Sequence, residues 1–273
     1  SVAWPDVSTT VHDLAAAKRE GRRFAMLTAY DWATARLLSE AGIEVMLVGD
    51  SVGDNVLGYP STIPVTMEEM LHHARAVARG APDALLIGDM PFGSYHGDCD
   101  AAVANAVQFL KAGMHAVKVE GGGWVVELAA RLQERSIPVM GHLGLTPQSV
   151  HAFGGMRVQG RSAEAQDRIA ADARALEHAG AFAIVLEGMP RELARAITLE
   201  LGIPTIGIGA GPDCDAQVLV TYDVFGISPR TRGSLPKFAS AFTDAGDRMV
   251  EAARAFAGAV ASGSFPDDAH SYH

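Results

Sequence analysis

With 273 residues, 48% of them hydrophobic, the chain can bury a large core without disulfides or a structural metal. Its formal charge of −10 repels phosphate backbones and argues against nucleic acid as a partner. Cys99 and Cys214 are its two cysteines and form no CxxC or zinc pattern, so a reduced, cytoplasmic setting is expected. The start, SVAWPDVSTT, has no basic segment leading into an apolar core, so no signal peptide is expected. No apolar stretch approaches the roughly 18 residues of a membrane span.

Thr10–Glu20 reads as a helix ahead of the first strand. Strand patterns follow at Phe24–Tyr30 (FAMLTAY) and Val45–Asp50 (VMLVGD), separated by the helical WATARLLSEAG, which stops at Gly42. The next helix, TMEEMLHHARAVARG, has Thr66 as N-cap and Glu69 three residues on, a capping-box spacing. Then strands at Ala84–Asp89, Ala116–Glu120, Pro138–His142, Phe182–Glu187 and Pro204–Ile208 alternate with helices at Asp100–Ala112, Trp124–Arg135, Ala163–Ala179 and Arg191–Leu201. Val218–Tyr222 is the eighth strand candidate, Lys237–Ala261 the last long helix, and the polar end at 263–273 is expected to fray.

Short, continuously apolar strands suit a parallel sheet buried on both faces. Repeated about eight times with helices between, they imply a single-domain α/β fold, a (β/α)8 TIM barrel, over residues 1–273. Residues 1–23 form an N-terminal helical extension, and the seventh unit is abbreviated because Ile208 and Val218 lie too close for a full crossover helix. The rival is an open doubly wound sheet, but its GxGxxG fingerprint is missing after the first strand, and GIGAG at 207–211 is too short to serve.

A barrel enzyme works at the C-terminal ends of its strands. Here those ends are Asp50, Asp89, Glu120, His142 and Glu187. Alternation along the strand puts Lys118 on the same face as Glu120, and Ser51 adds a hydroxyl and an N–H just past Asp50. Converging carboxylates repel unless a cation or proton intervenes. Hard oxygen donors favour magnesium, with Asp50 and Asp89 as ligands and Glu120 binding directly or through water; zinc would want more histidine or cysteine. Each residue also has a plainer reading. Asp50 and Asp89 could cap turns, Lys118 could simply pair with Glu120, His142 could be structural, and Glu187 could cap the helix after Met189. His72, His73 and His151 are assigned to surface or packing.

The strings MLTAYDWATARLLSEAGIEVMLVGDSVG, GDMPFGSY, AVKVEGG, PVMGHLGLTPQSVHAFGG, IVLEGMP, IPTIGIGAGPDCDAQVLV and YDVFGI resemble the ketopantoate hydroxymethyltransferase family, over about Phe24 to Phe242. The resemblance implies a (β/α)8 barrel that adds the one-carbon unit of its co-substrate, 5,10-methylenetetrahydrofolate, to the 2-oxo acid 3-methyl-2-oxobutanoate, in pantothenate biosynthesis. It implies Asp50, Asp89 and Glu120 as the shell of one Mg2+ per subunit and Asp50, Ser51, Asp89 and Lys118 as the substrate-binding set. Glu187 matches the base, with His142 beside it. A large homo-oligomer is implied, a decamer of pentameric rings. One departure is the spacer SPRTRGSL at 228–235, which looks longer than usual and could alter a rim loop or subunit contact.

On this reading the cation polarises the chelated 2-oxo acid, Glu187 takes the C3 proton, and His142 shuttles a proton or orients the base. A Schiff base on Lys118 is the rival chemistry. The rival functions are a phosphoenolpyruvate mutase or isocitrate lyase-like enzyme, whose KxCGH-type loop is absent, and a non-catalytic binding barrel. No motif marks the folate pocket; the rim loops after Gly53, Gly93 and Gly154 are candidates by position.

Overall fold

In the computed structural model, which describes residues 9–228 and 235–272, eight parallel strands close on themselves in sequence order. They are β1 Phe24–Thr28, β2 Val45–Val48, β3 Leu85–Asp89, β4 Ala116–Glu120, β5 Val139–Gly144, β6 Ala183–Glu187, β7 Thr205–Ile208 and β8 Ala216–Leu219. Met26 of β1 pairs with Val45 of β2 on one side and with Val218 of β8 on the other, which closes the ring. The expected barrel is therefore present. The expected spacer at 228–235 lies largely outside the described residues, as does the start of the N-terminal extension.

The helices are α1 Val11–Glu20, α2 Trp32–Glu40, α3 Val52–Asn55, α4 Met67–Gly80, α5 Cys99–Lys111, α6 Trp124–Gln133, α7 Val150–Phe153, α8 Ala163–His178 and α9 Arg191–Glu200, followed by α10 Thr221–Phe225 and α11 Ala245–Ser262. The capping box forms at α4: Thr66 Oγ1 accepts from the Glu69 amide, and the Glu69 carboxylate accepts from the Thr66 amide. The chain divides into a barrel unit ending at Val220 and a C-terminal unit beginning at Thr221.

Inside the barrel, Met26, Leu85, Ile87, Ala116, Met140 and Val185 pack into one apolar cluster, all but dry. Leu14 of α1 joins it, so the extra N-terminal helix stoppers the end where the strands begin. The period of two then carries the same inward face up to the strand ends, from Ile87 to Asp89, from Ala116 to Lys118 and Glu120, and from Val185 to Glu187. Apolar layers below and ionisable groups above are one alternation read along each strand. The outward face packs on helices without spare room. A Cβ on Gly88 would stand 2.3 Å from Phe109 of α5, which explains the glycine before Asp89.

Three expectations shift. Strand 8 is Ala216–Leu219, not Val218–Tyr222, and Thr221 onward is helical. Asp215 decides this register: its Oδ2 accepts from Lys18 Nζ at 2.8 Å and from Thr205 N at 2.8 Å, pinning the chain just before β8. The connection from β7 to β8 is the abbreviated seventh unit, with no helix between Ile208 and Ala216. The last long helix begins at Ala245 rather than Lys237, because Gly246 comes so near the backbone of Gly226 that a Cβ would sit 2.4 Å from its carbonyl oxygen. The tail, expected to fray, makes a 3-10 turn at Asp268–His270, where the Asp267 carboxylate accepts from the His270 amide.

Candidate active site at the C-terminal mouth of the barrel

Asp89, Glu120 and Glu187 stand at the ends of β3, β4 and β6, and Asp50 lies two residues beyond β2; His142 stands two residues before the end of β5, which runs on to Gly144 instead of ending at His142 as expected, because Gly144 still pairs with β6. The ladder fixes their neighbourhood: Asp89 is opposite Lys118, Glu120 opposite His142, and Glu187 opposite Gly144. All the ionisable strand-end groups are buried. Oxygens of Asp50, Asp89 and Glu120 lie within 4.8 Å of one another, the one acidic group among the described residues with that closeness.

Lys118, only 3% exposed, sits among them. Its Nζ is 2.9 Å from Asp89 Oδ1, 3.1 Å from Glu120 Oε1 and 3.3 Å from His142 Nδ1. His142 bridges two acids, with Nδ1 3.0 Å from Glu120 Oε1 and Nε2 3.1 Å from Glu187 Oε2. Ser51, at the start of α3, places its hydroxyl 2.8 Å from the Tyr30 hydroxyl. The structure therefore brings together every residue the sequence singled out for chemistry except Ser51, which stands beside the acids in chain order and is held by Tyr30.

The charges explain the titration of the group. Burial and then the Asp89 and Glu120 carboxylates push Asp50 well above the usual carboxylate range. Burial also raises Asp89, although Lys118 opposes it. Burial works against Glu120 too, but Lys118, His142 and their hydrogen bonds win and hold it at about 2. Burial pulls the Lys118 ammonium down, but the three acids outweigh it and keep it above the ordinary lysine range. His142 is likewise raised: burial and Lys118 oppose its charge, and Glu120 and Glu187 restore it.

Sequence reasoning missed Gln148, which forms part of a 3-10 turn at Pro147–Ser149 after β5. Its Nε2 donates to Asp50 Oδ2 and to the Met90 carbonyl, each at 2.9 Å, and its backbone amide donates to Glu120 Oε2 at 3.0 Å. Its Oε1 accepts from the Tyr95 hydroxyl at 2.7 Å, and that hydroxyl accepts from the Glu120 amide at 3.1 Å. One residue thus spaces two acids, Asp50 through its side chain and Glu120 through its backbone amide. Only a buried glutamine beside GLTP could have hinted at it; nothing periodic does.

A hard dication fits this donor set. Four carboxyl groups face one ammonium and one imidazole, so a doubly positive ion balances the charge. Asp89 Oδ1 meets Lys118 at ion-pair distance but has no aligned hydrogen-bond donor, so it keeps a direction for a ligand. Glu120 is already accepting from Lys118, His142 and Gln148, which makes Asp50 and Asp89 the freer donors.

The chain matches the ketopantoate hydroxymethyltransferase family over residues 8–268. A 3-methyl-2-oxobutanoate hydroxymethyltransferase of Acidothermus cellulolyticus is 55% identical over 264 residues, 96% of either chain. One from Escherichia coli O157:H7 is 51% identical over 265 residues, 97% of this chain and 99% of that one. Among solved structures, a phosphonopyruvate hydrolase in complex with oxalate and Mg++ superposes with a TM-score of 0.59 at 17% identity, covering 92% of this chain and 98% of that one. A 2,3-dimethylmalate lyase of the PEP mutase/isocitrate lyase superfamily gives 0.59 at 20% identity, covering 79% and 82%. At such identity these two show a shared barrel and nothing of the reaction. Among the described residues, no helix is long and apolar enough to cross a membrane.

Proposed function

The chain belongs to the ketopantoate hydroxymethyltransferase family, and from that premise we propose that it transfers the one-carbon unit of 5,10-methylenetetrahydrofolate to 3-methyl-2-oxobutanoate, giving ketopantoate for pantothenate synthesis. The observation that carries this reading is the closed mouth in which Asp50, Asp89 and Glu120 meet Lys118 and the His142–Glu187 pair.

Asp50 and Asp89, bordered by Glu120, would hold one Mg2+, which when bound supplies Lewis-acid help to the 2-oxo group. Lys118 and Ser51 bind the substrate carboxylate; a single ammonium is what an anionic acid needs in a site otherwise lined with carboxylates. The C3 proton goes to the Glu187 carboxylate, and the electron pair left on C3 attacks the methylene carbon of the donor. That carbon is freed from both donor nitrogens by one water, which leaves tetrahydrofolate carrying the two N–H protons and the methylene as a carbonyl carbon, and the carbonyl oxygen takes the proton back from Glu187 as the C3–C bond forms. His142 lies 3.1 Å from Glu187 and 3.0 Å from Glu120, so it orients the base and spreads the arriving positive charge onto a second acid. The apolar layer beneath, with Ile87, Met140 and Val185, keeps water from reaching the site from below.

The same reading makes the protein a cytoplasmic homo-oligomer, a decamer of two pentameric rings, which light scattering tests directly. The lyase alternative keeps only its likeness of fold. Deuterium uptake at C3 of 3-methyl-2-oxobutanoate, measured with Mg2+ and without folate, tests the chemistry. Metal-dependent exchange lost in Glu187→Gln supports it. An enzyme that turns over the full reaction after complete chelation, or that traps the ketoacid on Lys118 with borohydride, refutes it.

A further inference from the structure

The loop after β3 and the first turn of α6 carry rings that this chemistry leaves unused. Phe92, Tyr95 and His96 follow Asp89, and Trp124 follows Glu120 after three glycines. Their rings touch in one continuous cluster, tilted against one another by 46–56° except for the stacked Tyr95–Trp124 pair. Centroids are 4.6 Å apart for Phe92–His96, 4.4 Å for Tyr95–His96, 5.4 Å for His96–Trp124 and 5.9 Å for Tyr95–Trp124, the last pair within 25° of parallel. Tyr95 is buried, but Phe92 and Trp124 leave 42% and 53% of their surface in water. Single exposed aromatics are ordinary; four rings gathered in one cluster at the rim of a reaction site, two of them with much of their surface in water, mark a binding surface.

Two further features give the cluster a direction and a chemistry. Its inner end is tied to the acids, because the Tyr95 hydroxyl accepts from the Glu120 amide and donates to Gln148. Its outer members come from segments that leave strands β3 and β4, so they stand on the side of the mouth where Asp89 and Glu120 stand. The segment Phe92–Asp98 holds no lysine or arginine, so what it recognises is a ring face and not an anion. The Gly93 amide donates to His96 Nδ1 at 3.2 Å, which steadies that ring and leaves Nε2 to carry the proton.

The one-carbon donor of the proposed reaction delivers its methylene from a flat fused ring to C3 of the bound ketoacid, and this inference rests on that reading. We propose that Phe92, His96 and Trp124 form an aromatic shelf on which the bicyclic pterin ring of the folate carrier lies, with Tyr95 as the wall between the shelf and the acids. The shelf supplies stacking area for any ring of that shape, and the His96 N–H is a donor at its middle.

The test separates the shelf from the reaction. Trp124→Ala and Phe92→Ala should each raise the KM for 5,10-methylenetetrahydrofolate about ten-fold, the loss of one aromatic contact. The KM for the ketoacid and the folate-free C3 exchange should hold, and Trp124→Phe should restore the folate KM. In a Trp4→Phe/Trp32→Phe background, tetrahydrofolate added to the Mg2+-loaded protein should quench the remaining Trp124 fluorescence. Unchanged folate KM in both alanine variants, with C3 exchange and oligomer size intact, overturns the shelf. Loss of C3 exchange in the unaltered enzyme sinks the reaction instead, and Trp124 quenching by tetrahydrofolate then decides the shelf alone.

Discussion

Replacing Lys118 by methionine probes the electrostatics of the mouth most directly. Methionine keeps the length and the apolar stem, so packing changes little while the ammonium disappears. Lys118 is 3% exposed and lies within 3.1 Å of both Asp89 and Glu120. Removing one partner of a buried ion pair costs about 3–5 kcal/mol, because the other charge stays buried without compensation. At about 2–4 °C per kcal/mol for a domain of this size, the melting point of the metal-free variant should fall by about 6–20 °C at pH 7.5. The pH dependence carries the sign. Without the ammonium, Asp89 and Glu120 take folded-state pKa values above their unfolded ones, so the folded variant binds more protons than the unfolded chain. Its deficit is therefore greatest at high pH and closes as pH falls towards the unfolded carboxylate range near about 4. Mg2+ should narrow the deficit as well, since it binds the folded acids and binds them more tightly once the competing ammonium is gone. Scanning calorimetry of both proteins at one concentration, from pH 5 to 8 with and without Mg2+, measures all three effects. Equal melting points at pH 7.5, with a difference that ignores pH, would refute the placement of Lys118 as the counter-ion of a buried acidic cluster.

Gln148→Leu removes the side-chain donor that spaces Asp50 from Met90 and leaves the Tyr95 hydroxyl without its acceptor; calorimetric titration should show Mg2+ affinity falling about 10–100-fold, with a milder loss in melting temperature. Gly88→Ala drives a methyl to 2.3 Å from Phe109 and should cost about 1–3 kcal/mol in urea unfolding, part of which Phe109→Leu restores in the double variant. His115 is lowered by burial, and its Nδ1 accepts from the Leu86 amide at 3.0 Å. A histidine held neutral in the fold makes the native state bind fewer protons, so its contribution is whole above the unfolded value of about 6.5 and is lost as pH falls below it. His115→Gln should flatten stability against pH as pH falls below about 6.5, and an unchanged slope there would dismiss the residue as an acid sensor.

Much of the barrel was legible because its signal is local. β4 was read as Ala116–Glu120 and stands at those residues, since its apolar run and its ends are set by the chain itself. The inward pointing of Lys118 with Glu120 follows from a period of two that no packing can alter. The acids at the strand ends were visible for the same reason. The expected last strand, Val218–Tyr222, starts too late because Val218, Leu219 and Val220 are its plainest apolar run, and an apolar run does not say where its pairing starts. Asp215 says so, through Thr205 on the neighbouring strand and through Lys18, which lies 197 positions away in sequence.

The sequence alone, through alternation and through family likeness, determined eight strands, their order, and a row of ionisable groups at one end. Closure of the ring decided the rest, because it brings Gln148 to Asp50 across 98 positions, to Met90 across 58 and to Tyr95 across 53. Such contacts leave no period in the chain. They exist only once eight strands share a mouth, and there the same closure strips water from four carboxyl groups and makes Lys118, His142 and Gln148 answer for them.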